Sequence, residues 1–475
     1  MIRLAAFSFL FLFSLHLAAQ QPASQPTNLS FSNVKPYGFV LSFTPSQADG
    51  YLVVRSLSPI SFVPIDGVEY QKGQGISPGT KVFSMSSASS ISVRETLEGT
   101  TYYFAIYAYN GAGEQIDYFN VNPLSGSITT PFSNPNSYYA NLNVNSPTFL
   151  NDLKTRLNSG RVFQSYTPGF LNTVTKNIYI RDTVGGKEVI NCQYTGETKV
   201  FMPPFFWSSS SGEYTREHCL PKSWMITGGN INNQDGADYH NLIPANHEKA
   251  NAKRSNYPYG IVQNVTYQYL EGKLGTNSQG ITVYEPRNSI KGDVARSHFY
   301  MMVCYNNDGG VWGYQSMPSL APQQNQDLLK IWHEQDPPDA FERTKHEYIF
   351  SLQNNRNPFI DYPELADCIN FNNMTLYAGC TIGLQNGELP SLNSRVSIFP
   401  NPVAEGEFFQ VVIPEGKILT SYQLTDIQGR IILHINGQET GSVSIPTAGI
   451  ASGVYSLQCQ FQDGSVAIQK FMIQD

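Results

Sequence analysis

Between Thr101 and Asn110 the chain reads TYYFAIYAYN, and this run limits sharply what its surroundings can fold into. On an extended strand successive side chains point to opposite faces. Tyr103, Ala105, Tyr107 and Tyr109 therefore share one face, and Tyr102, Phe104, Ile106 and Ala108 the other. The same period of two runs through GFVLSFTPSQADGYLVVRS upstream, with Gly, Pro and Asp at the turns. Roughly a hundred residues of such short strands read as a sandwich. The pattern returns at the other end, in VSIFPNPV, YQLTDIQGRII, GIASGVYSLQCQF and SVAIQKFMI. Between the two ends it changes. In SPTFLNDLKTRLNSG, Phe149, Leu150, Leu153 and Leu157 recur at helical spacing, with Ser146-Pro147 as a start and Gly160 as a stop. QQNQDLLKIWHEQDPPDAFERTKHEYIFSLQNNRNPF predicts two further helices, broken at Pro337-Pro338. The reading is a multidomain chain: a β-sandwich over residues 22–131, an α+β domain over 135–368, a polar linker over 382–395 and a second β-sandwich over 396–475.

The composition agrees. Charged residues are only 14% of the chain, against 38 Gly, 29 Pro and 28 each of Tyr and Phe, as in turn-rich extracellular β-proteins. A net charge of −7 supplies no global field to attract nucleic acid, so any phosphate binding has to be local. At the N-terminus, Arg3, the apolar residues 4–15 and the small pair Ala18-Ala19 predict a secretory signal peptide over residues 1–19. No later segment is apolar enough to span a membrane. None of the six cysteines forms a C-x-x-C pair, which argues against a zinc ribbon. Cys368 and Cys380 are the nearest-spaced candidates for a disulfide, with the pairing open.

YTREHCLPKSWM, residues 214–225, places Glu217 beside His218. On a regular strand these would face opposite ways, but Pro221 predicts that the strand ends or bends here. A solvated loop is the plain alternative. Twenty residues after His218 comes DYHNLIPANHEKANAKRSNYPYG, with Leu242-Ile243 as a strand end and Pro244 opening a helix-compatible run to about Lys253. The order is a strand with Glu-His, a long loop, a strand with His-Asn and then a helix. That is the layout of a ββα-metal nuclease site.

REHCLPKSWM, DYHNLIPANHEKANAKRSNYPYG, GDVARSHFYM and IWHEQDPPDAFERTKHEYIFSLQNNRNPFIDYPELAD follow one another across most of residues 150–367. Together they resemble the endonuclease I family of secreted bacterial nucleases. The resemblance implies a metal-dependent, non-specific endonuclease that cuts DNA, with RNA as a second substrate, to leave 5′-phosphate ends. It makes His218 the general base, Glu217 one metal ligand and Asn251 the other. The stretch from Pro244 to Asn251 is one residue longer than the family pattern, which keeps Asn246 as the alternative amide ligand.

The residue types suit that chemistry. A neutral imidazole can take a proton from the attacking water. Mg2+ prefers oxygen ligands and keeps several waters, so a carboxylate and an amide oxygen make a minimal site, with Mn2+ or Ca2+ as substitutes. His240 and His247, seven residues apart, are a poor zinc pair. Arg254 and Arg296 are candidates for gripping the scissile phosphate, or for structural salt bridges. Asn241 or His240 would orient the imidazole or shape the loop. Trp224, Trp312 and Trp332 would stack on bases or pack in the core, and Cys219 has no nucleophilic setting.

The flanks carry resemblances of their own. Leu97, Gly99 and Tyr102 ahead of FAIYAYN are similar to the closing strands of a fibronectin type III domain. FPNPV, the DIQGR turn and GVYSL resemble the C-terminal sorting domain of the type IX secretion system. That implies export through the periplasm to the medium or cell surface, with the type IX machinery as a partner and the chain a monomer. Two other functions fit the sequence: a surface adhesin with an inactive nuclease-like domain, and a phosphodiesterase of another substrate. The second is kept open by the even charge of residues 132–367, where 20 Lys and Arg face 22 Asp and Glu.

Overall fold

The computed structural model describes residues 20–166, 169–202, 213–225, 234–305, 324–377 and 396–474, the last without 400, 402, 414–415, 427–429 and 463–465. The signal peptide, the linker 382–395, Trp312 and Cys380 lie outside the described residues.

In the N-terminal sandwich, strands Thr27–Lys35, Gly38–Thr44 and Ser90–Val93 form one sheet. In the other, Gly50–Ser56 lies between Thr80–Ser86 and Thr101–Asn110. The alternation of the last strand is used on both sides. Tyr102, Phe104, Ile106 and Ala108 pack with Phe39, Leu41 and Val53 between the sheets. Ala105 and Tyr107 cover Leu52, Val54 and Tyr118 on the outer side. Each fully buried large side chain contributes about 1.5–3 kcal/mol, so both faces stabilise the strand. The C-terminal β-domain has its own core, including Val403, Phe409, Leu424, Leu457 and Phe471.

The central domain is built on α1 (Phe149–Asn158), which buries Phe149, Leu153 and Leu157 as its spacing predicts. It also holds α2 (Ala252–Arg254), α3 (Lys291–Cys304), α4 (Gln326–Gln335) and α5 (Ala340–Gln353). Helix α3 is buried along nearly its whole length. Pro337-Pro338 separate α4 from α5, whose N-cap Asp339 accepts from the Glu342 N–H. No described helix is long and apolar enough to cross a membrane. Cys368 is disulfide-bonded, whereas Cys192, Cys219, Cys304 and Cys459 are free and buried.

Helix α5 also meets the N-terminal sandwich. The Glu98 backbone N–H donates to Thr344 Oγ1 at 2.9 Å, and its buried carboxylate lies 3.5 Å from Arg343 Nε and accepts from the Ser133 N–H at 3.0 Å. Tyr37 packs edge-on against Tyr348.

The candidate site stands on an antiparallel pair, Tyr214–His218 and Leu242–Asn246, with Glu217 opposite Ile243 and His218 opposite Leu242. A widened helical turn, His247–Asn251, follows and runs into α2. Two expectations are corrected here. Pro244 does not start the helix; it stays in the strand opposite Arg216, and the helix begins at His247. The reason is the cap: Asn246 Oδ1 accepts from the Lys249 N–H at 2.9 Å, fixing the first turn there. His240 and Asn241 likewise sit in a tight turn, Tyr239–Asn241, just ahead of the second strand.

Candidate active site

Glu217 is the penultimate residue of its strand, and its side chain points toward the helical segment that follows the second strand. Asn251 Nδ2 donates to its Oε2, so a carboxylate and a carboxamide from two separate elements meet. The Tyr194 hydroxyl donates to Glu217 Oε1 at 3.4 Å, and Arg254 Nε lies 3.9 Å from the same oxygen. Burial dominates the electrostatics. Desolvation pushes the Glu217 carboxyl up to about 7, while Arg254, Asn251 and Tyr194 pull the other way.

His218 ends the strand and turns its ring elsewhere. Nε2 is 2.8 Å from the Gly236 carbonyl, and the ring stacks on Tyr166 with centroids 5.3 Å apart and planes at 15°. A carbonyl only accepts, so this contact puts the proton on Nε2 and leaves Nδ1 as the basic nitrogen. Burial lowers the imidazole to about 4, and Lys222, Arg254 and Arg216 add to that, so it is neutral at neutral pH.

Arg254 lies in the layer beneath these groups. It is wholly buried, donating to the Cys219 carbonyl at 2.7 Å and the Ser255 carbonyl at 3.0 Å, with Tyr259 beneath the guanidinium at 4.7 Å. The expected grip on a phosphate does not fit that burial; the geometry makes Arg254 a support for Glu217 and for the bend after His218. Asn241 supports the same bend. Its Oδ1 accepts from the Leu220 N–H at 2.8 Å and from Ser297 Oγ at 3.0 Å, and its Nδ2 donates to the Leu220 carbonyl at 3.0 Å. Asn241 thus shapes the loop rather than touching the imidazole.

The remaining candidates separate cleanly. Arg296 is buried in an ion cluster, 2.6 Å from Glu342 and 3.2 Å from Asp293. His240 faces away from the pair, 3.1 Å from the Asn355 carbonyl. Trp332 is core, and Trp224 is half-buried beside Arg254. Asn246 is committed to its cap and to Glu197, to which Nδ2 donates at 2.7 Å. Sequence reasoning missed Tyr166, Tyr194 and the Gly236 carbonyl. A backbone acceptor and two isolated tyrosines from distant segments carry no spacing signal. Arg216 was missed too, although strand alternation points to it: it stands two residues before His218, on the same strand face, with its guanidinium 4.2 Å from the Tyr166 ring centre.

A carboxylate and a carboxamide, both carrying oxygen of the kind a hard divalent cation takes, meet here, with the amide's Nδ2 turned to the carboxylate. Among the described residues no group of three or more His, Cys, Asp or Glu gathers as a metal site.

Three stretches of the chain are similar to known families. Residues 148–364 match the family model for endonuclease I, 24–120 that of the fibronectin type III domain, and 397–474 that of the secretion system C-terminal sorting domain. An extracellular ribonuclease of Bacillus amyloliquefaciens is 32% identical over 254 residues, 51% of this chain and 81% of the relative. An extracellular ribonuclease of Bacillus subtilis (strain 168) is 38% identical over 33% of this chain and 54% of the relative. Endonuclease-1 of Buchnera aphidicola subsp. Acyrthosiphon pisum (strain APS) is 28% identical over 26% of this chain and 44% of the relative.

Proposed function

Because the chain belongs to the endonuclease I family, we propose that it is a secreted, metal-dependent, non-specific endonuclease of DNA and RNA, with His218 as general base. Glu217 and Asn251 would hold the cation, Mg2+ first, with Mn2+ or Ca2+ as substitutes. The observation that carries this reading is the meeting of Glu217 with Asn251, with the following residue, His218, an imidazole whose Nε2 is tied to a carbonyl. The strand pair and following helix fit the ββα-metal layout.

Each residue has a distinct part. Nδ1 of His218 takes the proton from the attacking water, for which its neutral form is required. Burial keeps it in that form, and the Tyr166 stack holds the ring plane. When bound, the cation neutralises charge on the phosphoryl and leaving oxygens. Arg254 keeps a positive charge behind Glu217 without reaching the substrate. Cleavage at the 3′ oxygen leaves 5′-phosphate ends.

The names of the relatives favour including RNA: two are called ribonucleases and one an endonuclease. The sorting domain supports export by the type IX machinery through the periplasm, to the medium or the cell surface. To test the reading, plasmid DNA and a structured RNA are incubated with the purified protein, with and without EDTA. Loss of cleavage in EDTA and its return on adding Mg2+ are expected; cleavage of neither substrate at any metal concentration would favour the inactive adhesin.

A further inference from the structure

The carbonyl that meets His218 belongs to a turn anchored by side chains from distant parts of the chain. Gly236 lies between Gln234 and Asp238, and both neighbours are tied down. Asp238 is wholly buried. Its Oδ2 lies 2.9 Å from an Arg161 guanidinium nitrogen, 2.6 Å from the Tyr300 hydroxyl and 2.8 Å from the Tyr305 hydroxyl, while Oδ1 accepts from Gln353 Nε2 at 2.9 Å. The Gln234 carbonyl is held by the same two groups, with Arg161 and the Tyr305 hydroxyl each at 3.0 Å. Arg161 also donates to the Tyr305 oxygen, which closes the ring of contacts. Inside the turn, the Gly236 N–H donates to Asp235 Oδ1 at 2.8 Å, and its carbonyl faces His218 Nε2 at 2.8 Å.

We propose that Arg161, Asp238 and Tyr305 are positioning residues for His218, acting through the Gly236 carbonyl to fix the imidazole in its Nε2–H tautomer. A neutral imidazole carries one proton, and the two tautomers are close in energy until a neighbour chooses between them. The Gly236 carbonyl makes that choice only while it stays at hydrogen-bonding distance, which here depends on how firmly Gln234 and Asp238 are held. A turn free to rock would let the Nδ1–H tautomer form, and that tautomer has no lone pair on Nδ1 with which to take a proton. The pairing of Arg161 with Asp238 allows a charged anchor to be buried without an uncompensated charge. The inference rests on His218 being the general base, but its structural half does not.

The test uses the full chain with 15N-labelled histidine. The His218 ring signals are identified by their loss in His218→Gln and recorded at a pH where the ring is neutral. The wild type is expected to show a single Nε2–H tautomer. Tyr305→Phe, which removes one hydroxyl, and Arg161→Lys, which keeps the charge but loses the fork to Gln234, are expected to show a mixture of tautomers. Their kcat should fall roughly tenfold at unchanged KM, a fraction of the ~10²–10⁴-fold worth of a general base. A single Nε2–H tautomer with wild-type kcat in both variants, whatever happens to their melting temperatures, would overturn the proposal. An active His218→Ala enzyme would instead remove the general-base reading and leave the tautomer result to stand on the spectra.

Discussion

Asn246 and Asn251 are five residues apart at the entry to one helix, yet the fold gives them different partners. Asn246 closes the first turn by accepting from the Lys249 N–H and reaches Glu197 with its other end. Asn251, one helical stretch later, reaches Glu217. Asn246→Ala should therefore cost about 1 kcal/mol of stability, the usual loss of a cap, and leave Mg2+ affinity near the wild-type value. Asn251→Ala should do the reverse, weakening Mg2+ binding by more than the ~10–100-fold typical of an outer-shell contact, with little change in the unfolding midpoint. Titration calorimetry and thermal unfolding of both variants separate the two. A loss of affinity at Asn246 with none at Asn251 would reassign the ligand.

At the scale of elements, the short helix Pro358–Asp361 is tied by charge to Arg356, in the turn that follows α5. Asp361 is buried, accepting from Arg356 Nε at 2.8 Å on one oxygen and from Arg356 Nη2 at 2.8 Å on the other, with the Tyr139 hydroxyl at 2.8 Å and His346 Nε2 at 3.1 Å. Although burial opposes it, Arg356 and His346 hold this carboxyl well below the usual range. A depressed carboxyl contributes stability above its unfolded value, near 3.9, and that contribution fades as pH falls below it. Asp361→Asn should thus destabilise by about 1–3 kcal/mol at pH 7, since Arg356 keeps Glu347 but loses its two-oxygen partner, and the gap from the wild type should narrow below about pH 4. Denaturant unfolding from pH 7 to pH 2.5 measures that gap; a gap constant across the range would contradict the assignment.

The same elements show what was legible beforehand. Helix α1 and the break between α4 and α5 could be read because hydrophobic spacing and two prolines are local signals. The start of the site helix could not. Pro244 carries a helix-start signal, but pairing with the Tyr214–His218 strand and the Asn246 cap outweighed it. Glu217, His218 and Asn251 were identifiable as residue types in an order. That Arg254 is an inward support and Asn241 a loop pin depends on burial and on carbonyl positions, which no spacing encodes.

Across the whole molecule, the N-terminal sandwich is more than a spacer. Its Glu98 is buried against α5, and α5 in turn presents Gln353 to Asp238. Removing residues 20–131 should expose that face of α5 and lower the unfolding midpoint of the nuclease domain by on the order of 5 °C or more. An unchanged midpoint would show that the two domains are independent. The C-terminal domain, with its own core, should be dispensable for catalysis: a chain ending near residue 385 is expected to keep its nuclease activity.

The central claim is a division of labour between adjacent residues, and His218→Ala tests it most directly. With Glu217 and Asn251 intact, the variant should bind Mg2+ and a non-cleavable duplex as the wild type does, while turnover of plasmid DNA falls by roughly 10²–10⁴-fold. Turnover within a factor of two of the wild type would contradict the mechanism, and so would a loss of Mg2+ binding that accounts for the whole defect.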